Sequence, residues 1–467
     1  MAPIVENVEL WRRDPVKCIK ELMGNPAFRD VISLVPERVF ADKEGKNQRI
    51  DEMWMADWWW GIQEILPEGA VVAPVILASD KTKLSQFWGD KAAWPMYLSI
   101  RNISKETRRQ ALLRANILVG YIPVTKLDNF TPSTHSLAGY RLFHHCMGLM
   151  LKSLAEAGPN GVEMTCADGW CLVACCNENQ CPRCVCQPDE KGEPVVSMLR
   201  DVAATLQALS DHKNGIENEC FESEGLRAVH KPFWADLPHC DIFSCFMPDL
   251  LHQLHKGIFK DHLIQWCRSV MGDAEGISHV KYSTGTEHKE MEKVLLGIVA
   301  GAVSPRVLAV ARSLLDFIYF AQYRSHTSET LAALEEALDT FHANKDMLVE
   351  LEIQKNFNFL KMALLIHYIQ AIKSQGSADG FNTELPECLH IDFAKEAYRV
   401  SNKRDYTEQM TRWLQRQEAI ETRTAYIAWV RGSRRAVEVD EDSDDDDAEA
   451  EELREAAEKI MAHTEPP

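Results

Sequence analysis

Val71–Ile103 reads VVAPVILASDKTKLSQFWGDKAAWPMYLSIRNI, and its pattern decides the fold. The apolar run Val71–Ala78 stops at Ser79-Asp80-Lys81-Thr82, and a second run, Met96–Ile100, follows a polar loop containing Gly89 and Asp90. A third, Asn116–Ile122 (NILVGYI), comes next. Short apolar runs bounded by turn residues read as buried strands, here at 71–78, 96–101 and 116–122. Asp80 then sits at the exit of a central strand. A carboxylate there is well placed to hold a divalent metal, because the strand fixes the backbone while the loop opens to solvent.

Outward from this stretch, residues 1–50 are irregular, with helical pieces expected around 16–23 and 28–34. Met53–Gly61 (MWMADWWWG) is tryptophan-rich and reads as a packing cluster under the first strand rather than a base-stacking surface. Ser136–Ala157 carries apolar residues at helical spacing and ends at Gly158-Pro159-Asn160-Gly161, a strong stop. Val162–Cys166 and Cys171–Ala174 read as further short strands. From Val195 the chain is mostly helical, with helices expected at 195–211, 249–271, 286–300, 304–323, 326–344, 357–373, 392–401 and 405–430. Strands followed by helices give an α/β chain with a mixed sheet, a pattern that suits an RNase H-like core.

At 467 residues with 46% hydrophobic content, the chain can bury a large core and hold more than one domain. Its formal charge is −19, of which −12 falls within Glu438–Pro467. The run Asp440–Glu452 contains no base and is expected to be a solvated, disordered tail. A net acidic body does not advertise nucleic-acid binding, so any such role must rest on local patches. The N-terminal MAPIVENVELWRRDPVKCIK has no apolar core of a signal peptide, and no stretch is long and apolar enough to span a membrane. The 14 cysteines therefore read as metal ligands or buried thiols rather than disulfides.

Four constellations carry chemistry. Cys171, Cys175, Cys176, Cys181, Cys184 and Cys186 cluster around a CxxC turn, Cys181-Pro-Arg-Cys184. Such a turn supplies two of the four ligands that zinc needs; Cys175 or Cys176 with a distant His or Cys would complete the set, against the plainer reading of buried thiols. Asp249, His252 and His255 are spaced i, i+3, i+6 and would share one helical face able to bind a metal or phosphate. The plainer reading is an N-terminal cap by Asp249. Glu384, Glu387, His390 and Asp392 follow the turn Asp379-Gly380 and would complete a metal site begun by Asp80, or form a solvated capping segment. Lys403, Arg404, Arg412 and Arg416 lie in a basic, aromatic stretch that could grip DNA phosphates, or form the charged outer face of an amphipathic helix.

The blocks SDKTKLSQFWGDKAAWPMYLSIRNI, LVGYIPVTKL, CLVACCNENQCPRC, PDLLHQLHKGIFKDHL, GTEHKEMEKV and DGFNTELPECLHIDFAKEAYRVSNKRD together resemble the Plavaka-type transposases of fungal genomes, relatives of the CACTA and Kyakuja–Dileera–Zisupton elements. The resemblance spans roughly 50–420. It implies an RNase H-like catalytic core with a large, mostly helical insertion and C-terminal helices. It implies two-metal phosphoryl transfer on transposon-end DNA by three carboxylates holding Mg2+ or Mn2+, in the nucleus, with self-association on DNA. By position, Asp80 is the first carboxylate and Glu384 the third, with Glu387 as fallback. Asp249 and His252 match a C/D-x-x-H motif. The cysteines, with Cys176, Cys181, Cys184 and Cys186 as ligands, match a zinc-like knuckle.

Domains expected on this basis are an irregular N-terminal segment (1–60), core strands (61–175), the knuckle (176–190), the helical insertion (191–375), the rest of the core (376–436) and the acidic tail (437–467).

The second carboxylate departs from the pattern. The family continues from the CADGW-like block through a linker and an apolar strand ending in Asp, whereas here Trp170 joins Cys171 directly. Asp168 remains as a geometric substitute. Ala363 also stands where the family tends to carry a second histidine, while His367 is kept. These departures are those of a truncated or decayed copy, or of a gene model that has spliced out a coding segment. The alternative is a non-catalytic, zinc-stabilised relic that binds DNA or protein.

Overall fold

The computed structural model describes residues 7–67, 69–85, 91–158, 180–187, 189–194, 197–237, 241–247, 249–272 and 285–438. Asp168, Cys171, Cys175, Cys176, the expected strands at 162–166 and 171–174, and the acidic tail lie outside them.

The three expected runs form strands, with shifted bounds, but the expected mixed sheet is corrected: every described pairing is antiparallel. Val75–Ser79, Pro95–Ile100 and Ile117–Tyr121 form consecutive antiparallel pairs, and the short Trp11–Arg12 strand adds beyond Ile117–Tyr121. The first strand begins at Val75, not Val71. Pro74 has no N–H to give a ladder, so pairing starts after it. Its carbonyl still accepts from Arg101 N at 2.8 Å. Gly120 admits the Trp11–Arg12 strand: a Cβ there would lie 2.0 Å from the Trp11 carbonyl oxygen. The expectation that Asp80 leaves a central strand is corrected: among the described strands, Val75–Ser79 is at the edge of the sheet.

Side chains alternate across this sheet with period two. Val75, Leu77, Met96, Leu98, Ile100, Ile117 and Val119 face a core that also takes in the Pro15–Met23 helix and Met147, Met150 and Trp234. Tyr97, Leu118 and Tyr121 face the other way, onto Leu389, Phe393, Ala397, Met410 and Leu414. The sheet is thus a middle layer, and the segment after Glu384 covers its second face.

A third core is mostly helical. It joins Leu250–Leu263, Ile264–Met271, Gly285–Val299, Pro305–Ala321, Ser328–Asn344 and Tyr368–Gln375 through Leu254, Phe259, Leu314, Phe317, Phe341 and Tyr368. Local sequence sets the starts of several helices. Asp201 caps Val202–Lys213, which delays that helix from its expected start at 195. Ser304 caps Pro305–Ala321, and Thr327 with Thr330 forms a capping box for Ser328–Asn344. The expected piece at 28–34 is not helical: a single turn, Pro26–Phe28, gives way to a bridge between Ile32 and Ile103. The tryptophan-rich stretch is a packing cluster. Trp54 and Trp59 meet edge to face at 6.5 Å and bury with Met53 and Val72.

A buried ionic junction ties the helical layer to the sheet. Lys105, 1% exposed, bonds Asp51, the Arg324 carbonyl and Ser377 Oγ, the last at 2.8 Å. Arg109 pairs with Asp379, Arg108 lies 3.6 Å from Glu52, and Arg101 donates to the Gly380 carbonyl at 2.9 Å while lying over the Phe381 ring. Burial holds Arg101 well below the ordinary arginine range, with Arg108 acting in the same direction. The junction fixes residues 377–381, the approach to the acid-bearing helix Glu384–His390.

Candidate metal centre and carboxylate cleft

The knuckle closes. Ligand atoms of Cys181, Cys184 and Cys186 all lie within 4.8 Å of one another, and all three residues are buried. His367 Nε2 approaches Cys181 Sγ at 3.4 Å from the turn Leu365–His367. Three converging sulfurs are soft donors that fit a metal ion, and the imidazole lies against one of them, Cys181. Thiol hydrogen bonds from Cys184 and Cys186, with a smaller contribution from His367, pull Cys181 well below the ordinary cysteine range, while Cys184 and Cys186 are pushed up. Cys176 lies outside the described residues, and the donor beside Cys181 is His367, 186 residues away. The resemblance had flagged His367 without giving it this place. Ala363, one helical turn earlier, packs on the same three cysteines.

The carboxylates are arranged otherwise. Asp80 leaves the end of Val75–Ser79 with its side chain 73% exposed, accepting from Lys81 N at 2.7 Å. His390 Nε2 lies 3.9 Å from Asp80 Oδ2 and is buried without a hydrogen-bond partner among the described residues, while His390 Nδ1 meets the Tyr97 hydroxyl at 3.0 Å. Burial pulls His390 below the ordinary histidine range, partly countered by Asp80. His390 is the residue by which the Glu384–His390 helix reaches the strand exit. It is one of the four residues after the Asp379-Gly380 turn that the sequence groups with Asp80.

Glu384 itself pairs with Lys289 Nζ at 2.5 Å, and Glu387 Oε1 meets His252 Nε2 at 3.0 Å. Six residues of helix separate Glu384 from His390, about 9 Å along the axis. Among the described residues, the only three or more metal-ligating side chains that converge are the three cysteines. Asp80, Glu384 and Glu387 therefore do not by themselves fit a three-carboxylate ion site, and Asp168 is outside the described residues.

Asp249 caps Leu250–Leu263 and accepts from Leu251 N and His252 N at 3.2 and 2.8 Å. Burial alone would raise its carboxyl, but hydrogen bonds from His252 and Thr383 outweigh this and hold it below the usual range. The bond to Asp249 in turn raises His252. The expected shared face for His255 is corrected. Leu250–Leu263 is wound with the wider i→i+5 pattern, so within it His255 turns away from His252, while Asp249 meets His252 from the cap position outside it. His255 points into the helical core, where its Nδ1 meets Glu292 at 2.7 Å with both side chains at most 1% exposed.

The basic stretch divides. Lys403 and Arg404 are exposed on a turn, with Lys403 in the left-handed region at φ 65°. Arg416 is exposed on Tyr406–Glu438, while Arg412 pairs with Glu408.

An α/β protein with a helical arm and a buried centre able to hold a metal ion is the class these features define. Comparison with protein families gives the lineage: the model described as Plavaka transposase matches residues 2–171 and 170–267. These spans take in more than half of the chain, which belongs to the Plavaka transposase family. No curated protein matches it. No described helix is long and apolar enough to cross a membrane.

Proposed function

We propose that the chain is a DDE-type transposase of a fungal DNA transposon, carried as a truncated or decayed copy whose DNA cleavage and strand transfer are impaired. The family implies DNA as its partner and the nucleus as its place of work. Family membership supports the lineage. The observation that carries the site is the 3.9 Å approach of His390 to Asp80, which brings the helix bearing Glu384 and Glu387 to the strand exit expected to hold the first carboxylate. In an intact DDE site, Mg2+ or Mn2+ would supply charge neutralisation at the transferred phosphate. Asp80 and Glu384 would be ligands of that ion, with Glu387 as fallback and Asp168 as the remaining substitute. Lys403, Arg404, Arg412 and Arg416 would meet DNA phosphates.

Impairment is favoured by two points. The matched stretches meet at 170–171, the junction where the resemblance lacks a strand and its aspartate. Glu384 and Glu387 are also engaged by Lys289 and His252. The second reading, a non-catalytic DNA- or protein-binding relic stabilised by zinc, draws on these points and on the donor set of Cys181, Cys184, Cys186 and His367. A strand-transfer assay on transposon-end DNA with Mg2+ or Mn2+ tests the proposal, with Asp80→Ala as control. The expected result is weak product that the substitution abolishes. No product above the control favours the relic, and product that persists in Asp80→Ala overturns the assignment of Asp80.

A further inference from the structure

Asp249 makes more contacts than a cap requires. Capping its own helix uses Leu251 N and His252 N, yet Asp249 Oδ1 also accepts from Thr383 Oγ1 at 2.9 Å and from Thr383 N at 3.4 Å, across 134 residues of chain. Asp249 Oδ2 meets His252 Nδ1 at 2.8 Å as well. A carboxylate has about four acceptor sites, so this one is saturated.

His252 extends the contact. Its Nδ1 lies 3.0 Å from Thr383 Oγ1 and its Nε2 lies 3.0 Å from Glu387 Oε1. Thr383 directly precedes the Glu384–His390 helix, and Glu387 lies three residues inside it. The helix is gripped on either side of Glu384, whose own carboxylate meets Lys289 of Gly285–Val299. Tyr368 Oη donates to the Asp249 carbonyl at 3.2 Å and steadies the corner from behind. Every one of these partners belongs to the helical region between Asp249 and Tyr368. The opposite end of the gripped helix reaches Asp80 through His390.

We propose that Asp249 and His252 are positioning residues that dock the Asn382-Thr383-Glu384 corner, so that the helical region sets where Glu384 stands relative to Asp80. The role given to Glu384 rests on the transposase reading; the docking does not. Two motifs separated by more than a hundred residues are then one unit: the D-x-x-H pair is the receptor and Thr383 the plug. A cap confined to its own helix would leave Thr383 free to vary.

Hydrogen–deuterium exchange on the full chain tests this. Asp249→Asn keeps a good cap for its own helix but puts an amide donor beside Thr383 and His252. Thr383→Val removes the hydroxyl, and Thr383→Ser restores it. The expected result is about tenfold faster exchange of the Glu384–His390 amides in Asp249→Asn and Thr383→Val, near-native exchange in Thr383→Ser, and little change in the first turn of Leu250–Leu263. Combining Asp249→Asn with Thr383→Val should add no further acceleration, because both remove the same contact. Unchanged exchange at 384–390, acceleration confined to 250–254, or failure of Thr383→Ser to rescue would overturn the docking. Since none of these readings depends on strand transfer, an inactive enzyme leaves the test intact.

Discussion

The knuckle and the carboxylate cleft are both sites that a metal would serve, and they differ in how their donors are held. Cys181, Cys184 and Cys186 are buried and mutually within 4.8 Å, closed over by His367. Asp80 is largely exposed, and Glu384 and Glu387 each hold a different partner. In the first, the three cysteines are close in sequence and held by a short turn, and only His367 comes from afar. In the second, Asp80 stands at the end of Val75–Ser79 while Glu384 and Glu387 stand on Glu384–His390, so their meeting depends on how distant elements pack.

The largest effect that would break this contrast lies in the knuckle. Cys181→Ala removes the ligand that the other donors surround. Bound metal should fall from about one per chain to almost none, with a large loss of thermal stability, as expected where metal binding and folding are coupled. Unchanged metal content would move the centre elsewhere.

The junction behind the cleft comes next. Lys105→Met removes one of two cations from each of Asp51, which keeps Arg49, and Asp379, which keeps Arg109. Urea unfolding should show a loss of about 1–3 kcal/mol, the cost of leaving buried polar groups short of a hydrogen-bond partner. A loss under about 1 kcal/mol would show that the junction does not bind the layers together.

A comparable effect is expected where the wide helix meets Lys361. A Cβ on Gly257 would lie 2.4 Å from Lys361 Cδ and 2.8 Å from the His252 carbonyl oxygen. Gly257→Ala should cost about 1–3 kcal/mol by overpacking, measured by the same unfolding experiment.

Acid sensitivity separates the body of the protein from the knuckle. Burial lowers His144, His326 and His342 to about 4. The unfolded chain takes up protons near pH 6.5, while these folded imidazoles resist until about pH 4. Their contribution to stability is present above pH 6.5 and is lost as pH falls from there towards 4. Urea midpoints measured across that range should fall with acidification, and the slope should be shallower in His326→Gln. The smallest effect is at the exposed Arg306–Glu350 pair, where Arg306→Ala should change stability by less than about 1 kcal/mol.

Much of this was legible in the chain because local rules govern it. The three strand runs, the cap at Asp249 and the CxxC turn follow from periodicity, cap chemistry and ligand spacing. Val75 starting the first strand was also readable in principle, since Pro74 cannot donate to a ladder. What the chain alone did not disclose is long-range. The approach of His367 to Cys181 joins residues 186 apart, and Thr383 reaches Asp249 across 134. No periodicity encodes such meetings. His255 was misplaced for a different reason: a three-residue spacing implies a shared face only if the helix winds as an α-helix, and Leu250–Leu263 does not. The edge position of Val75–Ser79 also escaped a reading by runs, because apolar character marks burial of a strand's faces but not which neighbours it has.

The central claim, a converging three-cysteine centre with His367 against Cys181 and described carboxylates that do not converge, is tested most directly by zinc K-edge X-ray absorption on the purified full chain. The account predicts one zinc per chain with three sulfur ligands at about 2.3 Å and one nitrogen at about 2.0–2.1 Å. A shell of oxygen ligands, or no bound zinc, would contradict it.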